Sequence, residues 1–241
     1  MTNVLLIETS TRVCSVGVAR EGKLLSLQED HGMNYSHSAV LTLFIEKVLH
    51  DAGLSVKDLD AVAVSQGPGS YTGLRIGVSA AKGICFALDL PLLAVDTLQA
   101  MAKICLEEKA DELAHCPATE LPLLLCPMID ARRMEVYHAL FDDRLNTVEA
   151  TQAKVIEENA FSAWLEKHRM AFFGDGASKC RPLLQHPNAL VFDDVFPSVK
   201  GMMAQAFEKF SAGEFVDVAY FEPFYLKDFV AGPPKVKGLY R

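Results

Sequence analysis

Two stretches of this chain, NVLLIETSTRVCSVGVA (3–19) and LPLLLCPMIDARRMEVYHALF (121–141), each set an apolar run against a second one across a short polar turn. Runs as continuous as Val4–Ile7 and Leu123–Cys126 suit strands buried on both faces, and the turns between the runs read as hairpin tips. In the first stretch Glu21-Gly22 gives a further turn signal and Lys23–Gln28 a third strand. The periodicity then changes. Val40, Leu43, Phe44, Val48 and Leu49 recur at helical steps, with Ser36 or Ser38 placed to start the helix and Gly53 to end it. Ser55 opens a short helical turn. Ala61–Ser65 reads as a strand, 74–88 as a helix of small residues, 91–95 as a strand and 97–107 as a helix. Beyond the polar segment 107–120, which ends near Pro117, the second stretch is followed by helix, strand and helix patterns at 155–167, 170–174 and 177–185. A last helix covers 197–211. Both halves therefore open on a hairpin and continue with alternating helices and strands. This predicts an α/β fold of two duplicated lobes, 1–106 and 107–241, with a cleft between them and a tail free to pack back on the first lobe.

Charge narrows what such a cleft could serve. Twenty-three basic residues stand against 31 acidic ones, for a net charge of −8. A protein that grips nucleic acid by itself needs a basic surface, and only Lys235, Lys237 and Arg241 make a locally basic segment. If RNA is the substrate, another subunit is expected to hold it. The six cysteines (Cys14, Cys85, Cys105, Cys116, Cys126, Cys180) are scattered and mostly apolar in context, as buried reduced thiols of a cytoplasmic protein would be. No two of the seven histidines are three or four residues apart, and there is no GxSxG elbow. No stretch reaches the about 18 apolar residues of a membrane span, and the start lacks the pattern of a signal peptide.

Four segments are candidates for chemistry. The turn Glu8-Thr9-Ser10-Thr11 offers a carboxylate, hydroxyls and backbone N–H groups that could hold a phosphate and hydrated Mg²⁺, or it is an ordinary capped turn. The loop Gly67-Pro68-Gly69-Ser70-Tyr71-Thr72-Gly73 lies between a strand and a helix and could present N–H groups to an anion. Within it Gly67, Gly69, Ser70 and Thr72 are the candidates, with Arg75 as a phosphate or carboxylate contact. The bland alternative is a tight structural turn with Arg75 paired locally. It matches neither GxxxxGK[ST] nor GxGxxG. Asp130, in the second hairpin turn with Glu135, would face a second phosphate, or it belongs to a charged turn. Gly174 and Gly176 could let a base approach the backbone, or they mark a helix entry.

The segments ETSTRVCSVGVA (8–19), SQGPGSYTGLRIGVSAAKG (65–83), MIDARRMEVY (128–137) and FYLKD (224–228), in this order and spacing, resemble the TsaB family over nearly the whole chain. GPGSYTGLRIG is the most specific of them. The resemblance implies the ASKHA architecture of actin, sugar kinases and Hsp70. It also implies a role in forming N6-threonylcarbamoyladenosine beside the anticodon of tRNAs that read codons starting with A, as the non-catalytic relative of TsaD. TsaD carries two metal-binding histidines where this chain has Thr97 and Met101, so the resemblance implies no metal and no catalytic residue here. Because such proteins usually place Asp where Glu8 stands, no cofactor is expected to be required and any ATP or ADP would bind weakly, at Glu8, Thr9, Ser10, Asp130, Gly174 and Gly176. The implied partners are TsaD and TsaE, with a homodimer when alone and tRNA reached only through the complex. The surface implied for them is made by first-lobe helices carrying Val40, Phe44, Ser79, Ala80 and Gly83. Three other readings compete: a metallopeptidase of the glycoprotease kind, a kinase of the sugar-kinase kind and a nucleotide-sensing subunit.

Overall fold

The computed structural model describes residues 1–32, 37–115 and 120–227. Ser36, Cys116, Pro117 and the C-terminal Asp228–Arg241, including Lys235, Lys237 and Arg241, lie outside the described residues. Two five-stranded mixed sheets organise the molecule. The first is built from β1 (Asn3–Glu8), β2 (Cys14–Arg20), β3 (Lys23–Asp30), β4 (Ala61–Gly67) and β5 (Leu92–Asp96), in the order β3-β2-β1-β4-β5. The second uses β6 (Leu123–Asp130), β7 (Glu135–Phe141), β8 (Thr147–Val155), β9 (Arg169–Phe173) and β10 (Ala189–Phe192), in the order β10-β9-β6-β7-β8. The two orders are the same topology, an antiparallel three-strand meander followed by two parallel strands on the far side of the first strand. The duplication expected from the two hairpin openings is thus present strand for strand.

β1 is buried at every residue because both of its faces are covered. Leu5 and Ile7 point into a core shared with α1 (His37–Asp51) and α2 (Tyr71–Leu88). Val4 and Leu6 point the other way, into a core shared with Ala100, Val199 and Met202. Those residues belong to α3 (Thr97–Glu108) and α7 (Val199–Ala212). The last helix of the second half therefore closes the open face of the first sheet. α3 belongs by sequence to the first half, yet it packs Leu98, Met101 and Cys105 under the second sheet. The two helices meet closely between the sheets: a Cβ on Gly201 would strike the Ala100 carbonyl oxygen. The opposite face of the second sheet is covered by α5 (Ser162–Leu165) and α6 (Asp175–Cys180). The short α4 (Ala110–Ala114) lies in the polar segment between the halves.

Three expectations are corrected. A strand, β8, runs through 147–155, and the helix expected over 155–167 shrinks to Ser162–Leu165. In β8 the apolar residues switch parity from Val148 and Ala150 to Ala153 and Val155, where pairing with β7 shifts register, so no single period of two is visible. Helix α2 starts at Tyr71, not 74, because the Ser70 hydroxyl accepts from Gly73 N (3.2 Å) and caps it. The inward face of α1 is Val40, Leu41, Ile45, Val48 and Leu49, while Leu43 is 60% exposed. Among the described residues no helix is long and apolar enough to cross a membrane. The five described cysteines are all buried and unpaired, and burial pushes the Cys14 thiol up to about 12.

After the cap at Gly213, residues 214–227 run back over the first lobe as an irregular strap. Val216 N donates to Leu92 O (2.9 Å) on the outer edge of β5. Lys82 Nζ donates to the carbonyls of Ala219 (3.0 Å) and Phe221 (3.1 Å). Phe224 N donates to Gln66 O (2.7 Å), and Lys227 then forms an ion pair with Glu135 on the second lobe.

Candidate functional site

The first hairpin turn is held from within. Glu8, Thr9 and Ser10 are each fully buried. Glu8 Oε1 accepts from Ser10 N at 2.6 Å, while Oε2 and the Ser10 hydroxyl have no partner. Burial pushes the Glu8 carboxyl up, and the neighbouring Ser10 and Ser65 hydroxyls and the Ser10 and Thr9 amides pull it the other way. A carboxyl in this state is biased toward the neutral acid, the form least suited to hold Mg²⁺.

The glycine-rich segment folds directly onto that turn. Ser70 N donates to Ser10 O (2.6 Å), and the Thr9 hydroxyl donates to Gly73 O (2.9 Å). A Cβ on Gly69 would run into the Ser10 carbonyl, one on Gly73 into the Thr9 carbonyl, and one on Gly77 into the Thr9 hydroxyl oxygen. The glycines are thus explained by close approach of two backbones. Two of the N–H groups that an anion would use are taken, Ser70 N by Ser10 and Gly73 N by the Ser70 hydroxyl. Gly67 N donates to the Thr97 hydroxyl (3.2 Å). Ser70 and Thr72 are exposed. The Arg75 guanidinium lies 4.2 Å from the Tyr71 ring centroid, and its Nε donates to the Tyr225 hydroxyl at 3.3 Å. Its neighbours are thus aromatic, and the salt bridge entertained from sequence is replaced by a cation–π contact. Tyr71 and Tyr225 stack at 5.0 Å, a pairing across 154 positions that no local pattern signals.

The second turn is brought together with Gly174 and Gly176, as the sequence suggested. Asp130 N donates to Asp175 Oδ1 (2.9 Å), Asp130 pairs with Lys179, and Lys179 Nζ also donates to Glu135 O (2.7 Å). A Cβ on Gly174 would collide with the Met128 carbonyl, and one on Gly176 with Val136 and the Met128 backbone. Both glycines serve the packing of α6 on β6. Burial raises the Asp175 carboxyl, and Arg12 from the first lobe's turn pulls it the other way. Between the two turns sits the start of α3. Thr97, fully buried, reaches Gly67, and Met101, one turn on and also fully buried, approaches Gly174. The place where the lobes' turns converge is filled by a hydroxyl and a thioether. Among the described residues no group of three or more His, Cys, Asp or Glu is arranged to hold a metal ion.

The surface implied for a partner is a groove of about 560 Å³ between α1 and α2, with Leu41, Thr42, Tyr71, Arg75, Ser79 and Ala80 among its walls. Ala80 is half-buried at this face; Phe44, also half-buried, is not among its walls and packs on the first-lobe core, while Ser79 and Gly83 are exposed, with open space where a Gly83 Cβ would stand. Val40 is corrected: at 6% exposure it belongs to the lobe core, and the outward residue of that helix is Leu43. Phe86, 86% exposed, extends the outward stripe of α2 past Gly83. Nothing in the sequence marks it, because an isolated aromatic at a helix end gives no period.

Comparison with known proteins fits this arrangement. The TsaB protein of Escherichia coli, described as a tRNA threonylcarbamoyladenosine biosynthesis protein, is 29% identical over 95% of this chain and 96% of its own. The tRNA N6-adenosine threonylcarbamoyltransferase of Thermus thermophilus is 39% identical over 110 residues, which are 40% of this chain and 34% of that enzyme. The solved structure of YeaZ from Pseudomonas aeruginosa superposes with a TM-score of 0.77 at 25% identity, over 94% of this chain and all of that one. A family model described as TsaD, tRNA N6-adenosine threonylcarbamoyltransferase, matches residues 33–228. With the duplicated sheets and that match over most of its length, the chain belongs to the TsaD-type family.

Proposed function

We propose that this chain takes part in forming N6-threonylcarbamoyladenosine in tRNA as the non-catalytic partner of a TsaD-type transferase. The observation that carries the reading is the convergence of the two hairpin turns on Thr97 and Met101, beside a sealed Glu8 carboxyl. Those side chains offer no ligand set for a hard cation and no general base exposed to a substrate. The names of the TsaB relatives supply the pathway. Under this reading no cofactor is required and ATP or ADP binds weakly. The α1–α2 face receives the transferase or a second copy of the chain, TsaE joins that assembly, and tRNA is met through it in the cytoplasm. Among the described residues no group of three or more His, Cys, Asp or Glu is arranged to hold the metal that the peptidase reading needs.

Light scattering after size exclusion tests this on the purified chain mixed with the TsaD-type protein of its own organism. A one-to-one complex that replaces the homodimer supports the reading. Two unchanged separate species would sink it.

A further inference from the structure

The tip of the β6–β7 hairpin is built against local preference. Ala131 N donates to Glu135 O (3.0 Å) and Glu135 N to Arg132 O (3.1 Å), which closes a three-residue loop, Arg132, Arg133 and Met134. Both arginines take positive φ, +72° and +48°. Left-handed backbone of this kind is favoured by Gly and, less strongly, Asn, and longer side chains are strained there. Strain of this sort at an exposed tip calls for a use of the side chains.

The charges around the tip point to that use. Asp130 is engaged by Lys179 and Glu135 by Lys227. Asp175, behind the turn, is turned inward, where it accepts from the Asp130 amide (2.9 Å). Each carboxylate beside the tip thus has its own lysine, and among the described residues neither Arg132 nor Arg133 has an ion pair. Both guanidiniums are exposed at the end of a hairpin, in a chain whose overall charge is −8. The tip lies on the second lobe, whereas the α1–α2 face belongs to the first.

We propose that Arg132 and Arg133 contact the phosphate backbone of the tRNA presented by the assembled complex. Planar guanidiniums pair with phosphate oxygens through two hydrogen bonds at once, and two adjacent ones suit successive phosphates. The proposal rests on the partner-subunit reading above. It gives the chain a direct, minor share of RNA binding that its net charge would not allow it alone.

The test uses the full chain in complex with the TsaD-type transferase of its organism and measures tRNA affinity against KCl concentration. The double variant R132N/R133G installs residues that take positive φ with less strain, so its thermal midpoint should equal or exceed that of the wild type. Its tRNA affinity at low salt should fall about tenfold, and the slope of log affinity on log salt should become shallower by roughly 1.5, for two lost phosphate contacts. R132K/R133K should keep the slope. An R132N/R133G complex with unchanged affinity and slope overturns the proposal and leaves the partner reading intact. So does a variant that loses only its grip on the transferase, which would assign the pair to a protein contact. Weaker binding of inorganic tripolyphosphate by the chain alone, with tRNA unaffected, would reassign it to a small anion. A wild-type chain that forms no complex removes both readings together.

Discussion

At the scale of single residues, the most consequential group is Glu8. Its carboxyl is fully buried with one oxygen unpartnered, and burial raises it above the ordinary value of 4.5. The folded state therefore holds this proton more tightly than the unfolded chain. The stability it contributes is complete below 4.5 and is lost as pH rises through the raised folded value. Glu8→Gln keeps the acceptor for Ser10 N and places an amide beside the unpartnered Ser10 hydroxyl. Chemical denaturation at neutral pH should show it more stable by about 1 kcal/mol, with the difference from wild type vanishing under acid. A destabilised variant at neutral pH would mean that the ionised carboxylate has a partner we have not assigned. Gly77 offers a steric counterpart. Gly77→Ala drives a methyl group into the Thr9 hydroxyl that donates to Gly73, and should cost about 1–3 kcal/mol in the same measurement. The glycine-rich segment was legible in the sequence as a special place, but its purpose was not. Glycine signals equally a backbone offered to an anion and a backbone offered to another backbone, and only the position of Thr9 and Ser10 separates the two.

At the scale of elements, helices α1 and α2 carry the proposed partner face. Gly83 is exposed on it with space around its Cβ position, and Phe86 stands out beyond it. Gly83→Arg should leave the monomer's thermal midpoint unchanged or slightly higher, since glycine is a poor helix former. It should also abolish the complex seen by light scattering, because a long charged side chain stands where close helix approach is needed. A variant that still forms the complex would move the partner face elsewhere. How well each element could be read followed its burial. β1, β4 and β6, covered on both faces, announced themselves as continuous apolar runs. Edge strand β8, half-buried and largely polar, did not, and neither did β10, whose four apolar residues Ala189–Phe192 are too few to show a period. In α1 the helical period was plain but the face was misjudged. Leu43 and Val40 share the same spacing, and sequence cannot say which residue meets the sheet and which meets a partner.

For the whole molecule, the chain's two halves are tied together by exchange. α7 returns to the first sheet, α3 underlies the second, and the strap of residues 214–227 runs from β5 past Gln66 to Glu135. Val216, Val218 and Phe221 of the strap pack on the first lobe's core, so removing residues 214–241 should lower the thermal midpoint by several degrees, a loss of about 1–3 kcal/mol. An unchanged midpoint would show the strap to be loosely held. Duplication was legible from the two hairpin openings, but the exchange of helices was not, because a helix's sequence records its amphipathic face and not which of two similar sheets will take it. The account as a whole stands on the claim that this chain supports a reaction it does not itself catalyse. The most direct test is threonylcarbamoyl transfer to tRNA, reconstituted from the same organism's TsaD-type transferase and the other pathway proteins, with and without this chain. The account predicts modification that requires the chain and survives Thr97→Ala in it. Equal modification without the chain, or activity that disappears with that side chain in a folded complex, would contradict it.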